Sequence, residues 1–277
     1  MPKQAKNAEL SKNQHYVPQS YLSRFAIDGK ICAYDKFKKG ERTYRTNLRN
    51  VASESHFYDI PAEVIPPEMV IDSQFLEKMY SKMEGDAKVE LDCFIKRIEC
   101  YNSFDRITDW FLNIPLVRLI VVHLSPRLVR YGRIIERQKQ ELAFHMTQQI
   151  LRTRDYRNLT SELEERTTQA VLNMVLRMRN VTTQKDAVQV RHSDTQKKMR
   201  HIQLLIDPEV GKGIFECLTN HIWMIGVNFS SQPLFTSDNP IVRHAHQSHP
   251  FKSNFGYCSP GIEIVYPLTP SITTTVR

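Results

Sequence analysis

The stretch GKICAYDKFKKGERTYRTNLRNVASESHFYDI, residues 29–60, decides the fold class of the N-terminal third. Apolar and polar side chains alternate from Ile31, the turn KKGE follows at 38–41, and RTYRT leads back at 42–46. A strand, a short turn with glycine and a second strand are typical of a β-hairpin. The aromatic residues of HFYDI, at 56–60, predict a third strand, because such residues favour sheets.

The period of the apolar residues then changes to that of helices, over a block that we place at 68–182. Apolar side chains recur near every fourth position over 71–98, which predicts one long amphipathic helix or two helices that break near Gly85. Further along, Ser161 and Glu164 have the spacing of a capping box and predict a helix start. We expect four to six helices in this block.

Strand patterns return in the last third of the chain. They are RHIQLLI (200–206), IWMIGVNF (222–229), PLFTS (233–237), PIVRHA (240–245) and IEIVYPL (262–268), separated by turn residues. DPEVGKGIFECLTNH, after the first of them, predicts a short helix. The chain stops at the strand-like ITTTVR, which leaves open whether a C-terminal extension is missing.

The order of strands, helices and strands indicates an α+β fold. We expect a flexible basic tail at 1–12 and a single domain over 13–277. Its parts are a β-hairpin region at 13–67, the helical central block at 68–182 and a C-terminal β region at 200–277. We expect the two terminal β regions to meet, and the C-terminal strands to pair into one antiparallel sheet.

The composition is ordinary for a soluble globular protein, with 41% hydrophobic and 25% charged residues among 277. The formal charge of +8 indicates either contact with an anionic partner such as nucleic acid or only a surface rich in lysine and arginine. The most apolar segment, 110–124, is too short and too polar for a bilayer span, so it predicts a buried helix and no membrane.

The five cysteines bear on the compartment. They are odd in number and contain no CxxC pair, which argues against a disulfide framework and a zinc ribbon. The first dozen residues contain no apolar stretch of the kind found in secretory signals. We therefore expect a cytoplasmic protein.

Three short stretches carry side chains that can do chemistry. His15, in NQHYVPQ, titrates near neutral pH and can act as a general base or metal ligand, although burial with a backbone hydrogen bond is commoner. Asp238 and Asn239, in LFTSDNPIV, either reach a cleft from a strand end or form an ordinary turn before proline. Glu84 borders the apolar stripe of the long helix, where a carboxylate needs an ion pair or a function.

Two further sets of residues have weaker patterns. HAHQSH places His244 and His246 on one strand face, with His249 in a loop, and indicates either a metal site or a polar loop. Four arginines at helical spacing lie on one face and can bind the phosphates of nucleic acid or only face solvent, namely Arg127, Arg130, Arg133 and Arg137.

The ordered motifs together resemble the bacterial domain-of-unknown-function family 4238. The resemblance rests on HYVPQSYLSRFA, GKICAYDK, NVASESHFYD, SKMEGDA, LFTSDNPIV and YPLTP, and extends from about residue 13 to 270. It implies a set of motif residues: His15, Pro18, Tyr21, Phe25, Glu84, Asp238, Asn239 and Pro240. One histidine with oxygen ligands suits Mg²⁺ or Mn²⁺ better than structural zinc.

Two hypotheses for the function follow. The first is a metal-dependent hydrolase of nucleic acid, a nuclease, in which His15, Glu84, Asp238 and Asn239 share one cleft. Glu84 and Asp238 hold the metal, His15 activates water and the arginine face holds the phosphate backbone. The second is a non-catalytic module that binds nucleic acid or protein, in which the same residues are turn and capping groups.

Overall fold

The computed structural model describes residues 12–40, 42–61, 72–112, 136–179, 188–247 and 254–277, with the backbone alone over 101–112. The chain divides into two compact units. The first contains residues 1–82, 148–212 and 237–239, and the second contains 83–147, 213–236 and 240–277. The single domain expected over 13–277 stays a prediction.

Four N-terminal strands form two separate antiparallel ladders in the first unit. Strand β1 (Asn13–His15) pairs with β4 (Ser53–Ser55), and β2 (Lys30–Tyr34) pairs with β3 (Thr43–Asn47). A short helix, α1 (Gln19–Leu22), follows β1. The predicted hairpin is confirmed, because β2 and β3 pair antiparallel on either side of the turn.

The third predicted strand, HFYDI at 56–60, is wrong. Phe57 and Tyr58 are fully buried side chains in a turn, and the strand ends just before them. The N–H of Tyr58 donates to the Gln14 side-chain oxygen at 2.6 Å instead of to a neighbouring strand. A side chain therefore satisfies the backbone where the pattern indicated a ladder.

The helical block is confirmed, and of the five further helices in the described residues, three lie within 68–182 and two follow it. They are α2 (Phe75–Leu112), α3 (Glu136–Leu151), α4 (Arg154–Met178), α5 (Asp194–Ile206) and α6 (Pro208–Thr219). Helix α2 continues through Gly85 without a break. Most of the apolar segment 110–124 lies outside the described residues. No helix of the described chain is both long and apolar enough to cross a membrane.

Two predictions of helix position are wrong. The helix predicted to begin near Ser161 begins at Arg154, because the Thr153 hydroxyl accepts from the N–H of Tyr156 at 3.2 Å and caps α4 earlier. RHIQLLI is part of α5 and not a strand. A capping box between Ser193 and Gln196 starts that helix, and a short apolar run cannot itself distinguish helix from strand.

The C-terminal strands form one antiparallel sheet in the second unit, as predicted. It contains β5 (Trp223–Val227), β6 (Val242–Ala245), β7 (Ile262–Pro267) and β8 (Ile272–Val276), in the order β5-β8-β7-β6. PLFTS forms no strand, and the N–H of Leu234 donates to the carbonyl of Pro270, in the turn between β7 and β8, at 2.8 Å. Buried and half-buried residues alternate along β7 and β8, which is the pattern of a sheet with one face in a core.

A disulfide corrects the prediction from the cysteine spacing. Cys217, on α6, is bonded to Cys258 in the segment before β7, and their Cα atoms lie 5.3 Å apart. This separation is within the usual range for a disulfide. The two residues lie far apart in sequence, and only the folding of the second unit brings them together. Cys32, Cys93 and Cys100 are free and exposed.

Candidate functional site

The HYVPQ segment is held in place through its backbone. Strand β1 ends at His15, which lies opposite Ser53 in the ladder with β4. The His15 carbonyl accepts from the Arg152 guanidinium at 2.6 Å, a charge-assisted bond. The half-buried His15 ring places Nδ1 3.4 Å from the side-chain nitrogen of Gln19. The main chain at His15 is thus fixed, and Nε2 of its half-buried ring is shielded from solvent.

Arg152, which donates to the His15 carbonyl, is itself held by aromatic side chains. Its side chain is buried, and its Nε donates to the Tyr58 hydroxyl at 3.1 Å. The guanidinium also lies 4.5 Å from the centre of the Tyr80 ring, a cation–π distance. Burial raises the pKa of Tyr80, so this hydroxyl stays protonated beside the arginine. Arg152 therefore has a structural role, since its guanidinium is used in contacts with His15, Tyr58 and Tyr80.

Tyr16, the residue after His15, connects the segment to the SDNP turn. Its ring is buried against Phe57, with 5.1 Å between ring centres. Burial raises the pKa of Tyr16, and the charge of the Asp238 carboxylate raises it further. The Arg154 guanidinium, which is hydrogen bonded to the hydroxyl, acts in the opposite direction. The charges of Asp238 and Arg154 therefore shift the pKa of the Tyr16 hydroxyl in opposite directions.

The SDNP turn is closed by its own serine and anchored by its asparagine. The Ser237 hydroxyl accepts from the N–H of Asn239 at 3.1 Å and donates to the carbonyl of the same residue at 2.7 Å. The Asn239 amide donates to the Asp155 carboxylate at 3.0 Å, in the first turn of α4. Asp238, between them, is exposed. Hydrogen bonds of Ser237 and Asn239, the two neighbours of Asp238 in sequence, therefore hold the turn around an exposed carboxylate.

An ion cluster lies next to Tyr16. The Glu54 carboxylate on β4 accepts two bonds from Arg157, at 3.0 and 2.9 Å, and lies 3.8 Å from Arg154 Nε. Arg157 is buried, with its guanidinium 4.2 Å from the centre of the Phe57 ring. The Arg154 side chain is 60% exposed. Arg157 therefore positions Glu54, and Arg154 presents a cation to solvent.

We call six of these residues the motif cluster: His15, Tyr16, Glu54, Arg154, Asp238 and Asn239. All six belong to the first unit. A family model described as "Protein of unknown function (DUF4238)" matches residues 13–277. The chain belongs to the DUF4238 family. The resemblance indicated by the ordered motifs is confirmed over nearly the whole chain, and the comparisons with curated proteins and solved structures found no match.

The four residues predicted for one cleft in this DUF4238 member lie in different units. His15, Asp238 and Asn239 belong to the first unit, and Glu84 is a half-buried residue of α2 in the second. The hypothesis that Glu84 and Asp238 together hold a metal ion stays a prediction. Within the described ranges, no three histidine, cysteine, aspartate or glutamate side chains are grouped so that they could hold a metal ion.

The predicted arginine face falls largely outside the described residues. Arg127, Arg130 and Arg133 lie outside them. Arg137 is exposed at the start of α3, and its Nε donates to Glu141 at 2.7 Å, which raises the pKa of Arg137. Phosphate binding by these four arginines stays a prediction.

The histidine stretch of this DUF4238 protein lies in the second unit. The rings of His244 and His246 are 4.7 Å apart, and His246 forms an ion pair with Glu263, which Arg277 also contacts at 2.9 Å. These two partners lower the pKa of Glu263, with His246 the larger influence. His249 lies outside the described residues.

Three members of the motif cluster were missed by the sequence reasoning. Tyr16 and Glu54 lie inside the stretches HYVPQ and NVASESHFYD, so the motifs contained them without indicating a role. Arg154 lies inside the predicted helical block but in none of the quoted motifs. Its contact with Tyr16 requires the start of α4 to lie beside β1, which residue spacing cannot reveal.

Proposed function

We propose that this DUF4238 member is a hydrolase that cleaves phosphodiester bonds in nucleic acid, with the motif cluster as its active site. The observation that carries the proposal is the bond from Asn239 to Asp155, which fixes the SDNP turn at the start of α4. There Arg154 lies 3.8 Å from Glu54, on the strand that pairs with β1 and the HYVPQ segment. This arrangement supports a common site for two motifs from opposite ends of the sequence. The formal charge of +8 supports a polyanionic substrate.

His15 and Asp238 handle the attacking water. The His15 imidazole takes a proton from water at Nδ1, as expected of a histidine general base, while the water oxygen bonds to phosphorus. The P–O bond to the leaving oxygen breaks, that oxygen takes a proton from solvent, and the imidazolium returns its proton to solvent. Asp238, an exposed acceptor in the anchored turn, orients that water. Asn239 is a positioning residue, since its bond to Asp155 sets where the turn lies.

Arg154 and Tyr16 supply the groups that face negative charge. The exposed Arg154 guanidinium binds phosphate oxygens and stabilises the charge that develops on them in the transition state. The raised pKa of Tyr16 keeps its hydroxyl protonated, so it can donate a hydrogen bond to the same phosphate. Glu54, held by Arg157, keeps Arg154 in place.

A metal ion has no step in this scheme. The role of Glu84 and Asp238 as ligands for Mg²⁺ or Mn²⁺ is a separate hypothesis from the sequence, and assays with each metal and with a chelator test it. Stimulation by either ion that is lost in Glu84→Gln would support that role.

A non-catalytic binding module is the second candidate. The bonds that Ser237 makes within the turn and that Asn239 makes to Asp155 favour it, because they also serve to fasten the turn to α4. On this hypothesis, alanine at these positions lowers the free energy of unfolding by about 1–3 kcal/mol through orphaned hydrogen bonds and affects no chemistry.

Asp238→Ala separates the two candidates. The purified full chain is incubated with labelled single- and double-stranded DNA and RNA, and each variant is checked by circular dichroism and thermal melting. Asp207→Ala is the matched control, since Asp207 is likewise an exposed carboxylate of the first unit and lies outside the motif cluster.

The enzyme hypothesis predicts that Asp238→Ala folds normally and loses cleavage, while Asp207→Ala keeps it. A folded Asp238→Ala with full cleavage, or a wild-type protein that cleaves none of the four substrates, would contradict it. An Asp238→Ala variant that fails to fold favours the binding module, and Asp238→Asn, which keeps the turn's hydrogen-bonding ability, then provides the activity comparison.

A further inference from the structure

The β2–β3 hairpin presents aromatic rings directly to solvent. Phe37, in its turn, is 84% exposed, and Tyr34, at the end of β2, is 63% exposed. The ladder has two strands in the described part of the chain. Exposed rings of this size are costly in water, so a pair of them at one hairpin end indicates a contact surface.

Each ring has a cation beside it. Lys36 Nζ lies 4.9 Å from the centre of the Phe37 ring, and Arg42 donates to the Tyr34 hydroxyl at 3.1 Å. On the opposite face, Lys38 Nζ lies 5.7 Å from the centre of the Tyr44 ring. Aromatic faces and positive charges therefore alternate around the end of the hairpin.

The strand register separates an inner from an outer face. Ile31, opposite Thr46, is buried and ties the inner face to the first unit. On the outer face, Cys32 lies opposite Arg45 and Tyr34 lies opposite Thr43, and all four are exposed. The outer face is thus a continuous surface that ends in the two exposed rings.

The charge of this surface is strongly positive. Residues 30–47 carry six cationic side chains and two carboxylates. The cations are Lys30, Lys36, Lys38, Lys39, Arg42 and Arg45, and the carboxylates are Asp35 and Glu41. Asp35 accepts from the N–H of Phe37 at 2.9 Å and so helps to close the turn. An exposed Arg45 forms an ion pair with Asp28, which leaves most of the positive charge on the turn side.

We propose that the hairpin surface, Tyr34, Lys36, Phe37, Lys38 and Arg42, binds single-stranded nucleic acid. Bases stack on exposed aromatic rings, and lysine and arginine beside the rings meet the phosphates of the same strand. A duplex keeps its base faces stacked inside, so it can use the cations but not the rings. The inference rests on the proposed function for its choice of nucleic acid, and it names the strand type of the substrate.

Fluorescence anisotropy tests the inference without depending on cleavage. The full chain is titrated into a labelled single strand with a phosphorothioate backbone, into the duplex of the same sequence, and into vesicles containing anionic lipid. The variants are Tyr34→Ala and Phe37→Ala, with Phe229→Ala as the matched control because Phe229 is an exposed ring (75%) in the second unit.

We expect each hairpin variant to weaken single-strand binding by at least about fivefold, as the loss of one stacked base does, and the control to leave it unchanged. Lys38→Gln should reduce the salt dependence of log Kd by about 0.7, the value for one lost contact with a single strand. All these positions are exposed, and circular dichroism confirms that the variants fold.

Binding that is unchanged in Tyr34→Ala and Phe37→Ala would overturn the inference, as would equal affinity for the duplex or a preference for the vesicles. The two proposals fail separately. A protein that binds single strands through the hairpin but cleaves nothing overturns only the proposed hydrolase. A protein that cleaves nucleic acid with the same Michaelis constant after Phe37→Ala overturns only the hairpin.

Discussion

The stability of the first unit should fall between pH 6.5 and 4 because of one buried histidine. His201 on α5 is 1% exposed, and its Nε2 lies 2.8 Å from the carbonyl oxygen of Leu151. Burial lowers the pKa of His201 to about 4 from 6.5; the Leu151 bond opposes this shift, and the charge of Arg157 adds to it. The ring also packs edge-on against Phe57, directly beneath the motif cluster.

The magnitude follows from the difference in pKa. Above pH 6.5 the ring is neutral in the folded and unfolded states, so it adds no pH dependence. As the pH falls below 6.5, the unfolded chain binds a proton at His201 that the folded protein does not bind until about pH 4. Folding therefore loses up to about 1.4 kcal/mol per pH unit, or about 3 kcal/mol by pH 4.

Urea denaturation of the wild type and of His201→Gln at several pH values between 7 and 4 measures this loss. Glutamine can donate to the Leu151 carbonyl but does not titrate, so the difference between the two proteins isolates His201 from the carboxylates that also titrate. We expect that difference to shift by about 3 kcal/mol in favour of the variant as the pH falls. His244→Gln, at an exposed position, is the control. A difference that stays constant, or shifts towards the wild type, would refute the reasoning.

Three further variants test other contacts. Arg152→Met should lower the free energy of unfolding by about 3 kcal/mol or more, because it removes a buried bond to the Tyr58 hydroxyl and a part-buried bond to the His15 carbonyl. Arg137→Met should leave this free energy nearly unchanged, and equal effects in urea denaturation would contradict the structural role of Arg152. Ser193→Ala should cost about 1 kcal/mol in the same assay through loss of the capping box, and no measurable cost would count against that cap. Asp238→Asn should lower the pKa of Tyr16, since it removes a negative charge that raises this pKa. NMR titration of labelled tyrosine measures the change, and an unchanged pKa would mean that Asp238 does not lie near Tyr16.

Local patterns predicted the elements whose signal lies within a few residues. The β2–β3 hairpin follows from alternation around a glycine turn, and α6 and the C-terminal sheet follow from their periods. The errors have two causes, a contact distant in sequence and a stronger local cap. Tyr58 meets the Gln14 side chain instead of a strand, and Thr153 starts α4 ahead of the capping pattern at Ser161.

The candidate site was predictable in part for the same reason. His15, Asp238 and Asn239 stand in recognisable turns, so sequence motifs could select them. The neighbouring site residues Glu54 and Arg154 could not be predicted from motifs. They come into contact only when β4 packs beside the start of α4. The pairing of Cys217 with Cys258 was missed in the same way, since residue spacing does not encode it.

The central claim is that His15 and Asp238 act in one hydrolytic site, and a double-mutant cycle of cleavage rates tests it most directly. The kcat/KM for a labelled single strand is compared among the wild type, His15→Ala, Asp238→Ala and the double variant, with folding verified for each. Loss of a general base or its partner should slow cleavage by roughly a hundredfold or more, and the double variant should be about as slow as the slower single variant, because residues that act as a unit are not additive. Losses that multiply in the double variant, or a single variant with wild-type activity, would contradict the claim.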